Sequence, residues 1–320
     1  MPINPKFKAL LKDPSIKFTI ILGSGFHRQA LGNNSILSNW EILLSRLTHS
    51  KNITGDFNLD FEKIVLDQFL YQKDNTKAAH YVERDEKNKL VSFLNQEQAY
   101  VLKESNRFKY PNIFHSSKIS DIVSLNFDTI PEHLCKADRK KPKKENKSSF
   151  NKVKNSDNTS QSFTAQITSF EEIKLQNESI RFWHPHGSID KPSSIVLGVS
   201  KYAELVKSSI QIRNHYKAFE EKGRSQELKE LTWLSQIYNN PVLILGASMS
   251  YIEWAMWTAI VHRNRNFAKQ ENKKCEKPIF IMMSPEDLEN RARHQWFEPL
   301  FSGLDFNEQW TELEKLFKIK

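Results

Sequence analysis

Three short segments hold the residue types from which a reactive site could be built. They are I-I-L-G-S-G-F-H at 20–27, I-V-S-L-N-F-D at 122–128 and F-W-H-P-H-G-S-I at 182–189. His186 is the side chain type best suited to proton transfer near neutral pH. Asn126 can orient a water molecule or a sugar hydroxyl. Gly23 and Gly25 flank Ser24 and leave room for backbone N–H groups to approach a phosphate. The N-terminus of a following helix would add favourable partial charge there. The set reads as a nucleotide site with catalytic groups beside it.

Each segment also has a plainer reading. Arg28 stands where a G-x-G-x-x-G turn would have its third glycine, so it either pairs with a phosphate or faces solvent. Asn126 and Asp128 alternate onto one side of a strand, or they close it as an Asx turn. His184 and His186 share a face if their strand continues through Pro185. They are then a possible metal pair for which no third ligand is evident, or they are structural. Gly246 and Ser248 lie in G-A-S-M-S at 246–250, either a second backbone-rich turn for a ribose or phosphate, or a helix start capped by Ser250.

The surrounding pattern says what positions these residues. Residues 17–23, 120–126, 180–183, 241–246 and 277–283 read as buried strands, with short runs of apolar β-formers. A further apolar run covers 194–199. Helical periodicity covers 38–48, with Trp40, Leu43, Leu44 and Leu47 on one face, and recurs over 53–118. It returns from about 200, from about 225 to 238, around Trp254 and Trp257, after Pro285-Glu286, and over 307–318. Strands alternating with helices predict an α/β fold: a Rossmann-like parallel sheet flanked by helices, in one domain over 1–320. Residues 50–118 form a helical insertion over the site. In open sheets of this kind ligands bind at the carboxyl ends of the strands, where all the candidate residues lie.

Bulk properties set limits. The chain has 320 residues, enough for a substantial core. No apolar run approaches the roughly 18 residues that span a membrane, and the first residues lack a signal-peptide pattern. The two cysteines, Cys135 and Cys275, cannot make a disulfide framework or a four-cysteine zinc site. A cytoplasmic location is expected. The net charge of +9 is concentrated: residues 136–154 hold nine Lys/Arg against two acids, or +7 of it. Residues 136–165 are therefore expected to be a flexible basic loop. It is either simply solvated or in contact with nucleic acid, and no nucleic-acid-binding motif stands beside it.

In order and spacing, Gly23-Ser24-Gly25, Trp40 to Leu44, Ser124 to Asp128, His186 to Ile189, Ser194 to Gly198, Lys201-Tyr202 and Leu245 to Ser250 resemble the sirtuin-like fold. The similarity is to its bacterial antiphage-defence branch and extends over nearly the whole chain. The resemblance implies NAD as substrate, with Gly23, Ser24, Gly25 and Arg28 toward its pyrophosphate. It places Asn126 and Asp128 by the nicotinamide and its ribose, and Gly246 and Ser248 by the adenosine side. It gives His186, with Asn126, the catalytic role. His27 departs from the family's usual Ser. The zinc module of deacylase sirtuins needs two cysteine pairs, so no metal is expected and deacylation is disfavoured. The implied activity is NAD hydrolysis (an NADase) that depletes NAD in infected cells. A silent NAD- or ADP-ribose-binding sensor subunit and an ADP-ribosyl transferase are the alternatives. Too few residues follow the last strand for a sensor domain. Control is expected to come from homo-oligomer formation or from a HerA-type ATPase or Argonaute-like partner. Nucleic acid would be involved only indirectly, and no membrane.

Overall fold

The chain is seen in a computed structural model that describes residues 3–48, 54, 56–71, 79–137, 170–175, 178–221, 232–250, 253–268, 277–282 and 295–318. At its centre lies strand β1 (Phe18–Leu22), whose five residues are all buried. Burial on both faces explains why F-T-I-I-L reads as a continuous run and does not alternate. β1 pairs in parallel with β2 (Ile119–Ser124) on one side and β5 (Val242–Leu245) on the other. With β3 (Phe170–Lys174), β4 (Ser179–Trp183), β6 (Ile279–Ile281) and β7 (Glu298–Pro299) the sheet has the order β3-β4-β2-β1-β5-β6-β7. The chain moves outward from β1 through β2 to β4, then returns to place β5 on the opposite side. This reversal makes the carboxyl ends of β1, β2 and β5 the natural crevice of the fold.

All neighbours are parallel except β3 and β4, which are antiparallel. The sheet is thus mostly parallel, as a Rossmann-like α/β fold requires, and mixed only through the β3 edge. β3 reads F-E-E-I-K and is only partly buried; an edge strand with one solvated side carries too few apolar residues to stand out in the sequence. Between β2 and β4, Asp121 faces Arg181 in register. Its carboxylate accepts from Arg181 Nε at 2.8 Å, Arg181 Nη2 at 3.0 Å and Trp183 Nε1 at 2.9 Å. A fully buried acid is thereby satisfied by three donors.

Ten helices flank the sheet among the described residues. Alternation along the strands sends Ile21, Val123, Trp183 and Ile244 to one face, under α7 (Val199–Glu221), α8 (Trp233–Asn239) and α9 (Trp254–Ala268). Ile20, Leu22, Ile122, Phe182, Leu243 and Phe280 face the other way, toward α1 (Pro5–Lys12), α2 (Gly25–Leu31) and α10 (Phe306–Phe317). Helix α1 was not expected. Asn4 caps it, accepting from the N–H groups of Lys6 and Phe7, with Pro5 as the first helical residue. It delivers Phe7 edge-on to Phe18, Phe280 and Phe317.

A third core joins α3 (Trp40–Leu47), α4 (Phe57–Tyr71) and α5 (Ala79–Lys103). Leu43, Phe61, Leu90 and Leu94 pack there with Phe127, Ile130, Ile189, Ile195 and Leu197. Phe127 and Ile130 follow β2; the other three follow β4. These helices therefore hold down the loops that carry the candidate site residues. Within the 53–118 stretch, helix ends at Lys103 and turns follow. The apolar run at 194–199 is not a strand: a 3-10 turn (Pro192–Ser194) leads into irregular backbone at 195–198, where Val196 N–H donates to His186 O at 2.7 Å, and α7 begins at Val199. Ile195, Val196 and Leu197 are apolar because they are buried, not because they belong to the sheet. Lys136 and Ala137 close helix α6 (Ile130–Ala137). The rest of the expected basic loop, the start of the 225–238 helix and the helix after Pro285 lie outside the described residues.

Candidate functional site

The two glycine turns interlock. Gly23 N–H donates to Leu245 O at 3.0 Å and Gly25 N–H to Gly246 O at 2.8 Å. A Cβ on Gly23 would lie 2.5 Å from Gly246 O, and one on Gly25 2.7 Å from Gly246 Cα. Gly246 has φ +64°, and a Cβ there would lie 2.6 Å from Phe26 N. Each turn therefore needs glycine to admit the other turn's backbone. The N–H groups of Phe26, His27 and Arg28 also donate to carbonyls of the turn. Ser24 is half-buried, and its side chain makes no capping bond. Arg28 is exposed on α2, and Ser248 is exposed beside the buried Met249, which has φ +48°.

At the end of β2, Leu125 N–H donates to Leu22 O at 2.8 Å and carries the sheet one residue further. The next side chain, Asn126, is 2% exposed, and both its Oδ1 and Nδ2 are buried with no hydrogen-bond partner. An orphaned buried amide costs about 1–3 kcal/mol unless something supplies a donor and an acceptor. Asp128 is different. Its Oδ1 accepts from Ile130 N–H at 3.1 Å, an Asx turn opening α6, and its Oδ2 lies 2.9 Å from His27 Nε2. His27 is fully buried, with Nδ1 3.1 Å from the Tyr110 hydroxyl. Burial pushes the Asp128 carboxyl up, but His27 and the Ile130 N–H outweigh it and hold the group below the usual carboxylate range. The sequence thus splits its two readings between neighbours: the Asx turn belongs to Asp128, the open amide to Asn126.

Strand β4 ends at Trp183, and 184–187 forms a turn in which Gly187 N–H donates to His184 O at 2.9 Å. Gly187 has φ +86°, and a Cβ there would lie 2.2 Å from Ser194 O. The two histidines differ sharply. His184 Nδ1 lies 3.3 Å from Asn126 O and Nε2 lies 2.5 Å from Glu132 Oε1 on α6, so both nitrogens are engaged. Burial lowers the proton affinity of His184, yet Glu132 outweighs it and raises the net value. His186 donates Nδ1–H to Leu125 O at 3.2 Å, since a carbonyl can only accept. Its Nε2 is buried without a hydrogen-bond partner, 3.4 Å from Glu253 Oε2, which is ion-pair range without hydrogen-bond geometry. Burial disfavours the charged ring, but Glu253 more than offsets it, so the net shift is upward. The Tyr202 hydroxyl donates to that same Glu253 oxygen at 3.2 Å, and its ring lies 5.6 Å from that of His186. Burial and the Glu253 carboxylate both push the Tyr202 phenol up, so it stays a donor.

Adjacency of β2 and β4 thus places Asn126 and His186 at one end of the sheet. The interlocked glycine turns stand beside them at the ends of β1 and β5. Glu253, Tyr110 and Glu132 were not singled out from the sequence. Glu253 had one signal, an acid at the start of a helix directly after a glycine-serine turn. A cavity of about 870 Å³ is lined by Tyr202 of the site together with Leu59, Val199, Val206, Ile210 and Trp254. Trp254, next to Glu253, is 59% exposed. Among the described residues no group of three or more His, Cys, Asp or Glu could hold a metal ion, and no helix is long and apolar enough to cross a membrane.

A family profile described as SIR2-like domain matches residues 120–302, more than half of the chain and the stretch that contains Asn126, His186 and Glu253. No curated protein matches the chain.

Proposed function

The chain belongs to the SIR2-like domain family, whose members bind NAD and are typically NAD-dependent enzymes, and from that premise we propose that it is an NAD hydrolase. The observation that carries this reading is the pair of open groups at the sheet's end: the orphaned Asn126 amide and His186 Nε2. Hydrolysis at a ribosyl carbon needs a group to orient water and a group to take its proton. In the proposed reaction the bond from C1′ of the ribose to the nicotinamide nitrogen breaks, and its electron pair neutralises the pyridinium. Water attacks C1′ through an oxocarbenium-like transition state, as in glycoside hydrolysis. Asn126 orients the water or a ribose hydroxyl, and His186 Nε2 accepts the proton that water gives up. Nicotinamide, ADP-ribose and one proton are released. His27 and Asp128, bound to each other, fix the shape of the loop that presents Asn126.

The physiological reading follows the same resemblance. The enzyme acts in the cytoplasm as an effector of antiphage defence, depleting NAD once infection is sensed. Assembly into a homo-oligomer or a partner of the HerA-type ATPase or Argonaute-like kind holds it inactive until then.

The test is product analysis. Wild type and His186→Ala are incubated with NAD, alone and with the candidate partner, while nicotinamide, ADP-ribose and NAD binding are measured. Equal release of both products by wild type, abolished in His186→Ala with an unchanged melting curve, is expected. Nicotinamide without matching ADP-ribose would indicate transfer to an acceptor. Binding without release in every assembly would indicate a sensor. Full activity in His186→Ala would refute the assignment.

A further inference from the structure

We infer that Glu253 is a positioning residue that readies His186 to accept a proton at Nε2, an inference that rests on the NAD hydrolase reading. The backbone fixes the tautomer: Nδ1–H points at Leu125 O, so the neutral ring has its lone pair on Nε2. That nitrogen faces Glu253 Oε2 at 3.4 Å. The contact is close enough for a strong charge interaction in a buried setting, yet leaves the lone pair unused. The carboxylate is itself held. Tyr202 donates to it from α7, and the Glu253 N–H donates to Ser250 O at 3.0 Å in the turn after β5.

The arrangement differs from a triad in which the acid bonds the nitrogen remote from the reaction. Here a backbone carbonyl holds the remote nitrogen, and the acid stands on the reacting side. When a water O–H bond breaks, a new N–H bond forms at Nε2 and the imidazolium meets a negative charge already in place. The proton then leaves Nε2 for solvent, and no electrons change hands. The titratable groups around His186 are Glu253 from the turn before α9, Tyr202 from α7 and His184 from its own segment. His184 opposes a second positive charge, but its own charge is balanced by Glu132. Glu253 is therefore the group that favours protonation.

The experiment reads His186 directly. The full chain, labelled at its ten histidines, is titrated by NMR, with His186→Ala identifying the resonance. Glu253→Gln keeps the shape and the acceptor for Tyr202 and removes only the charge. It should lower the His186 midpoint by about one pH unit. The acid limb of nicotinamide release should move to lower pH by the same amount, with kcat down about tenfold and KM unchanged. A midpoint that stays in place overturns the inference whatever the activity does. If wild type releases no nicotinamide in any assembly, with or without the partner, while the midpoint shifts, the hydrolase reading falls and the hold of Glu253 on His186 stands. Should Glu253→Gln unfold, Glu253→Asp withdraws the carboxylate by one methylene and is expected to give the same shift at smaller size.

Discussion

Replacing His27 with Ala tests the buried pair that shapes the site. His27 and Asp128 are both essentially inaccessible, and their contact of 2.9 Å ties the turn after β1 to the loop after β2. Removing one partner of such a pair costs about 3–5 kcal/mol, because the other is left charged and buried. Two features adjust that figure. Ile130 N–H still bonds Asp128 Oδ1, which limits the penalty. The Tyr110 hydroxyl loses its partner, which adds to it by about 1 kcal/mol. A net loss of about 4 kcal/mol is expected, a large part of the 5–15 kcal/mol typical of folded proteins, with Tm lower by about 8 °C. The pH dependence supplies the sharper test. In wild type the folded Asp128 holds its proton more weakly than the unfolded one, so its contribution is present above the unfolded value, near 4, and is lost as pH falls through the folded one. In His27→Ala burial, the largest influence, is opposed only by the Ile130 N–H and by His184, so the carboxyl shifts upward and the destabilisation shrinks as pH is lowered from 7 toward 5. Adding Asp128→Asn should restore about half of the loss at pH 7. Chemical denaturation across that pH range measures all three proteins. A His27→Ala loss that is the same at pH 5 and pH 7, and that Asp128→Asn does not relieve, would refute the charge argument and leave only packing.

Two other changes separate function from stability. Asn126→Ala removes an amide that bonds nothing in the protein, so Tm should stay level or rise, while nicotinamide release falls at least a hundredfold; a clear drop in Tm would show that the amide has an unseen structural partner. Gly187→Ala places a Cβ 2.2 Å from Ser194 O on a backbone at φ +86°, and should cost at least 2 kcal/mol in denaturant unfolding; near-wild-type stability would mean the 187–195 turn can relax.

What the sequence revealed and what it concealed follow from the range of the interactions. β1, β2, β5 and β6 are legible because central strands must be apolar on both faces, and α10 because Asp305 and Glu308 form a capping box at its start. The edge strand β3, with two glutamates in five residues, has no such demand on it. Asn126 and His186 were legible as polar residues at the ends of apolar runs, where a sheet opens. His27 was visible as a departure, but its partner Asp128 lies on another element, and no local pattern pairs them. The same holds for Glu253 and His186. The glycines were ambiguous in a different way: a turn that cradles a phosphate and a turn that cradles another turn both demand the absence of a side chain, and Gly246 supplies the second demand.

That interlock also bears on how the chain can vary. Gly23, Gly25 and Gly246 are already the smallest residues there are, so a larger group at one cannot be offset by a smaller one at another. The usual route of compensated substitution is closed to them. The two turns form a single heritable unit drawn from opposite ends of the chain. Grafting a foreign turn onto β1 alone would collide with the old turn after β5, whereas exchanging both together would carry the fit along. Recombination within this fold is therefore constrained at these turns to keep the first and last thirds of the chain from one parent.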